Sequence, residues 1–157
     1  MKKNYMKTIM KSNLFVAALI SLAALILVLL FCDIKYEISD DFIADAVLSG
    51  AYSCEYNPHM LFSNVLLGNV LVFFYSHTSH ISWYFVNLMV MGFAAIFTVN
   101  YLCIKKNSRV IGVLFAVLST VFFTDDLFIL PSFTKTASAA IAAGGFLLIE
   151  TLWTQSE

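Results

Sequence analysis

NLFVAALISLAALILVLLF, residues 13–31, carries only two polar side chains, Asn13 and Ser21, in an otherwise apolar run. A helix needs about 20 apolar residues to cross a hydrocarbon core about 30 Å thick, and this stretch supplies that length. Lys2, Lys3, Lys7 and Lys11 precede it. Basic residues beside a first span favour the cytoplasmic side, so the N-terminus is expected in the cytoplasm. A cleaved signal peptide has an apolar core of about 7–15 residues and a small-x-small cleavage site. This run is longer and no such site follows, so it reads as a retained membrane helix over 13–32.

The rest of the chain has the same character. Hydrophobic residues make up 61% of the 157 and charged residues 12%, against about 45–50% and about 25% in soluble domains. A soluble fold of this size could not bury so much apolar surface, so the first partner is a lipid bilayer, here expected to be the cell membrane. The net charge of −1 offers no basic surface for nucleic acid. Cys32, Cys54 and Cys103 are an odd set and no disulfide framework. A Cys32–Cys54 pair in an oxidising compartment and three unpaired thiols both stay open.

Outward from the first helix, residues 33–58 form an acidic loop with Asp33, Glu37, Asp40, Asp41, Asp45 and Glu55 and a single base, Lys35. Within it, Ser39 reads as a cap, Asp40 and Asp41 suit a first helical turn, and Gly50 is a stop. Phe42, Ile43, Ala46 and Val47 fall on one face, which predicts a surface helix over 39–49 with that face toward lipid or the bundle. Residues 59–75 are apolar but interrupted by Ser63, Asn64, Gly68 and Asn69. Spans are expected over 83–104, with Trp83 and Tyr84 as interfacial anchors, over 110–123 and over 127–153. Small residues from Ala139 to Gly145 allow close helix approach. A full crossing by 59–75 would put Lys105, Lys106 and Arg109 outside. A re-entrant 59–75 returns them to the cytoplasm and puts Asp125 and Asp126 beside the acidic loop. The charges favour the second arrangement. The expected fold is therefore all-α: a single polytopic membrane bundle over 1–157, with a short amphipathic helix in its first outer loop.

Few side chains suggest chemistry. Asp41 and Asp45 share a helical face. A carboxylate at a low-dielectric surface can act as a general base or bind a divalent cation, so Asp40 and Asp41 are candidates for either role. In the alternative reading they are solvated residues that merely favour the helix dipole. Lys135, shortly inside the last apolar segment, either snorkels to the interface or binds a lipid phosphate. His59 either orients a carboxylate or touches a phosphate, or is simply tolerated at the interface. His77 and His80 stand three apart with no carboxylate nearby in sequence. No phosphate-binding glycine loop, zinc motif or nucleophile elbow is present.

The order of these parts resembles the C-type membrane glycosyltransferases, which use polyprenyl-phosphate-linked sugars and include protein O-mannosyltransferases and lipid A aminoarabinose transferases. The resemblance rests on Ser39-Asp40-Asp41-Phe42 in the first outer loop and on Asn57-Pro58-His59-Met60-Leu61-Phe62 opening the next apolar segment. It continues through Tyr101-Leu102-Cys103-Ile104-Lys105-Lys106 at the end of a span. Leu130-Pro131-Ser132-Phe133-Thr134-Lys135-Thr136-Ala137 then leads into a helix. It implies that Asp40 or Asp41 activates an acceptor, as a base or within a divalent-cation site. It also implies that Lys135 binds the carrier phosphate of a lipid-linked sugar donor, with His59 supporting either group. The chain matches only the N-terminal part of a typical member, which implies a portion of such an enzyme, a truncated product or a non-catalytic relative. The competing expectation is a small non-enzymatic membrane accessory or assembly protein. A transporter ranks behind both, because buried charges are few and no inverted repeat is visible.

Overall fold

The structure, a computed structural model, describes residues 12–60 and 63–155. Lys2, Lys3, Lys7 and Lys11 and the Leu61-Phe62 part of the Pro-His motif lie outside the described residues. The helices are α1 (Asn13–Phe31), α2 (Ser39–Leu48), α3 (Val65–His77), α4 (Trp83–Lys106), α5 (Arg109–Thr124) and α6 (Phe133–Gln155). A π-helical turn, Asp125–Ile129, extends α5. There is no strand among the described residues. α1, α4, α5 with its π turn, and α6 are each long and apolar enough to cross a membrane. The chain is thus an α-helical, multi-pass membrane bundle. Leu19, Leu27, Leu30, Val121, Phe122, Ile141 and Trp153 point outward. Such a rim is stable only against lipid.

α4 is the central helix, and α1, α5 and α6 each pack against it. Val28, near the end of α1, clusters with Met89, near the start of α4, and with Leu127 and Phe128 of the π turn. Ala17, near the start of α1, clusters with Ile104 and Ala116. α1 and α4 are therefore antiparallel, and residues 32–82 leave and re-enter the bundle at the same end. α3 makes no net crossing. Its 13 residues span about 20 Å, short of a hydrocarbon core of about 30 Å. Instead it packs Leu71 and Tyr75 against Ala44 and Leu48 of α2 and Tyr84 and Leu88 of α4.

This path sorts the charges. Lys105, Lys106 and Arg109 lie at the end where α1 begins, and the acidic loop lies at the other end with Asp125 and Asp126. The loop is tied to the π turn by Lys35 N–H donating to the Ile129 carbonyl at 3.2 Å and Glu37 N–H to the Pro131 carbonyl at 3.5 Å. At the basic end, buried Glu150 of α6 accepts Lys105 at 2.8 Å and Lys106 at 3.5 Å. A Cβ on Gly112 would lie 2.7 Å from both the Cys103 carbonyl oxygen and the Ile104 Cα, so the α4–α5 turn closes because that residue has no side chain.

One polar layer crosses the apolar interior. Asn100 of α4, fully buried, donates to Ser21 of α1 at 2.9 Å and to Thr120 of α5 at 2.8 Å. Its carbonyl oxygen accepts from Ser119 at 3.1 Å. With water excluded, only these groups can satisfy the amide, so they fix the rotation of three helices about their axes.

α2 is oriented by its carboxylates. Asp41, Ala44 and Leu48 form its buried face, while Phe42 and Ile43 are exposed. Tyrosine and serine hydroxyls in the bundle hold Asp41 and Asp45 inward, which turns Phe42 and Ile43 outward. Ser39 is the first helical residue and makes no capping bond, which Ile38 at the cap position cannot make either. Gly50, at φ +75°, takes the left-handed conformation that ends the helix.

Candidate functional site

The site grows from two carboxylates one helical turn apart. Asp41 is 2% exposed. Its Oδ1 accepts the Tyr84 hydroxyl at 2.6 Å and the Phe133 N–H at 3.1 Å. Phe133 opens α6, behind Pro131, which suits the approach to a helix start, and Ser132, whose Oγ accepts from Lys135 N–H at 3.4 Å. Asp41 thus sits where the helix dipole favours negative charge. Its Oδ2 is buried and has no hydrogen-bond partner among the described residues. A cavity of about 230 Å³ lies between α2, Tyr84 and the Phe133–Thr134 turn, and Asp41 and exposed Asp40 both line it.

Asp45 is saturated. Its Oδ2 accepts from Tyr36 at 2.9 Å and Ser82 at 2.8 Å, and its Oδ1 accepts a short bond from Tyr75. The Tyr75 oxygen in turn accepts the Tyr84 N–H at 2.9 Å. Tyr84 therefore joins the two carboxylates, through its hydroxyl to Asp41 and through Tyr75 to Asp45. Burial lifts the Tyr36 phenol well above its ordinary pKa, with the neighbouring Asp45 charge adding to the effect, so Tyr36 remains a donor at any physiological pH. The knot holds the acidic loop, α2, α3 and the start of α4 together, which leaves Asp41 little freedom to move.

Lys135 is at the same end but in other company. It pairs with Glu37 at 2.8 Å and Asp126 at 2.5 Å, and it lines a second cavity, between α4, α5 and α6. His59 is exposed, and its Nδ1 lies 3.0 Å from Asn57 Oδ1. The structure thus brings Asp40 and Asp41 to one cavity, places Lys135 on another and puts His59 on neither.

Asp40 and Asp41 by themselves do not make a calcium site. Asp41 Oδ1 is committed to two donors, and a calcium site needs about 6–8 oxygen ligands. No group of three or more His, Cys, Asp or Glu side chains converges as a metal site among the described residues.

Tyr36, Tyr75, Ser82 and Tyr84 carry no motif that marks them. Tyr84 reads in sequence as an interfacial anchor beside Trp83. Its contact with Asp41 spans 43 residues. The one available signal is the Asp41/Asp45 spacing, which requires donors on whatever surface their shared face meets. No protein-family model, curated protein or solved structure matches this chain.

Proposed function

We propose that the chain is a glycosyltransferase-like protein of the cell membrane, or the N-terminal part of one, with its N-terminus in the cytoplasm and its acidic end at the outer face. There it transfers a sugar from a polyprenyl-phosphate carrier. The observation that supports this reading is Asp41 Oδ2, a buried carboxylate oxygen without a partner on the wall of a small cavity. Burying an unsatisfied acceptor costs about 1–3 kcal/mol, and an acceptor hydroxyl would remove that cost. In the proposed step the hydroxyl proton passes to Asp41 Oδ2 as its oxygen bonds to the anomeric carbon. The bond from that carbon to the carrier phosphate oxygen breaks, and the phosphate leaves with the electron pair. Tyr84 and the Phe133 N–H hold Oδ1 and so aim Oδ2. The departing phosphate needs a cation, and Lys135 can serve by giving up Glu37 or Asp126. Asp40 keeps a supporting role on the same cavity, while His59, which lines neither cavity, has no part in this step.

The test is transfer or hydrolysis of a labelled polyprenyl-phosphate sugar by purified protein in lipid nanodiscs. Asp41→Asn should lower turnover by about 10²–10⁴-fold, the usual worth of a general base. Wild-type protein that consumes no such donor would favour the second reading, a non-enzymatic accessory or assembly protein. The pairing of Lys135 with two carboxylates favours that second reading, because a phosphate at Lys135 would have to displace one of them.

A further inference from the structure

α5 and α6 both lean on α4 but approach each other chiefly around the π turn. The space between them is a cleft of about 410 Å³, within the range of about 300–1,000 Å³ typical of ligand pockets. Ala95 and Ile96 of α4 form its floor, Phe123 and Phe146 flank it, and Ala142 and Ala143 of α6 are too short to fill it. Within a bilayer a cleft with these walls takes hydrocarbon, because water would find few partners there.

Its upper rim is charged. Asp126 and Lys135 line the cleft itself, and Glu37 completes the row acid–base–acid. Lys135 is 30% exposed and Asp126 47% exposed, so a headgroup can reach both. The three groups sum to one negative charge. A headgroup with both a phosphate and an ammonium complements them, with phosphate drawing Lys135 off one carboxylate and ammonium pairing with the acid so released, Asp126 or Glu37. A purely anionic headgroup would add repulsion to a site that is already negative.

We infer that this cleft binds one hydrocarbon chain of a zwitterionic aminophospholipid, with its headgroup on the Glu37–Lys135–Asp126 row. The site does not depend on sugar transfer. A carrier phosphate would compete for Lys135, so an aminophospholipid there would restrain any activity that uses the lysine.

The test is native mass spectrometry of the purified full chain, titrated separately with palmitoyl-oleoyl phosphatidylethanolamine, phosphatidylglycerol and a polyprenyl phosphate. The ethanolamine lipid should bind about tenfold more tightly than the glycerol lipid, the scale of one charge-assisted hydrogen bond that only the ammonium can make. Asp126→Asn with Glu37→Gln should erase that preference while leaving binding itself in place. Ala142→Phe, at an exposed position on the cleft wall, should abolish the retained lipid without changing helicity by circular dichroism. Equal or tighter binding of phosphatidylglycerol or of the polyprenyl phosphate by the wild type would overturn the proposal, whether or not the variants fold. Unchanged lipid retention in a folded Ala142→Phe protein would overturn it as well.

Discussion

The hydroxyl of Tyr84 meets Asp41 Oδ1 at 2.6 Å, in a place where both residues are almost wholly buried. A carboxylate so placed needs each donor it has. Tyr84→Phe should lower stability by about 1.5–3 kcal/mol, the worth of a hydrogen bond to a charged group, with the Phe133 N–H left as the one remaining donor to Oδ1. The two residues should also couple. In a double-mutant cycle, the effects of Tyr84→Phe and Asp41→Asn on thermal unfolding in nanodiscs should depart from additivity by more than about 0.5 kcal/mol. Additive effects would show that the contact carries no energy.

Asp45 anchors α2 through three hydroxyls on three other segments, Tyr36, Tyr75 and Ser82. Asp45→Ala should release residues 39–48 from α3 and α4 without disturbing the basic end. Hydrogen exchange followed by mass spectrometry should report faster exchange there and unchanged protection at the α4–α5 turn. Equal loosening at both ends would mean that Asp45 supports the whole bundle rather than the site.

Asn100 is satisfied by side chains of α1 and α5. Interhelical hydrogen bonds in membranes average about 0.6 kcal/mol and reach about 1.7. Asn100→Leu should therefore destabilise modestly, by about 1–2 kcal/mol, with less from Ser21→Ala. Denaturant titration of helicity measures both. A gain in stability from Asn100→Leu would show that the polar layer is a net cost.

Single cysteines at positions 40, 107 and 125, with Cys32, Cys54 and Cys103 replaced, report the path of the chain. Positions 40 and 125 should respond alike to a membrane-impermeant thiol reagent, and position 107 oppositely. With the acidic end outside, as proposed, intact cells label 40 and 125 but not 107. Different responses at 40 and 125 would contradict the packing of the loop on the π turn.

The start of the last helix shows where local reading stops. Residues 127–130 are apolar and sit next to the apolar segment after them, so by hydropathy they belong to the last span. In the structure they close α5, because the π turn runs to Ile129 and Pro131 breaks the chain before α6 begins at Phe133. Lys135 is likewise legible as an ionisable group near a membrane surface, yet its partners Glu37 and Asp126 are not. An ion pair between loop and helix leaves no periodic trace. In α2 the apolar face read from spacing is only partly covered, with Phe42 and Ile43 exposed and Ala46 and Val47 half-buried, and the carboxylate spacing is the stronger signal.

Sequence alone determined that this chain lives in lipid and is helical, because about 20 apolar residues in a row leave the backbone no other way to satisfy its hydrogen bonds. It also placed the charges in groups, since ions avoid hydrocarbon wherever they stand in the chain. Tertiary structure alone decided which face of α2 turns inward, that Tyr84 holds Asp41, and that Lys135 is shared between two carboxylates. Those outcomes depend on which donors meet which acceptors once four helices have packed, a matter of distances between residues far apart in sequence.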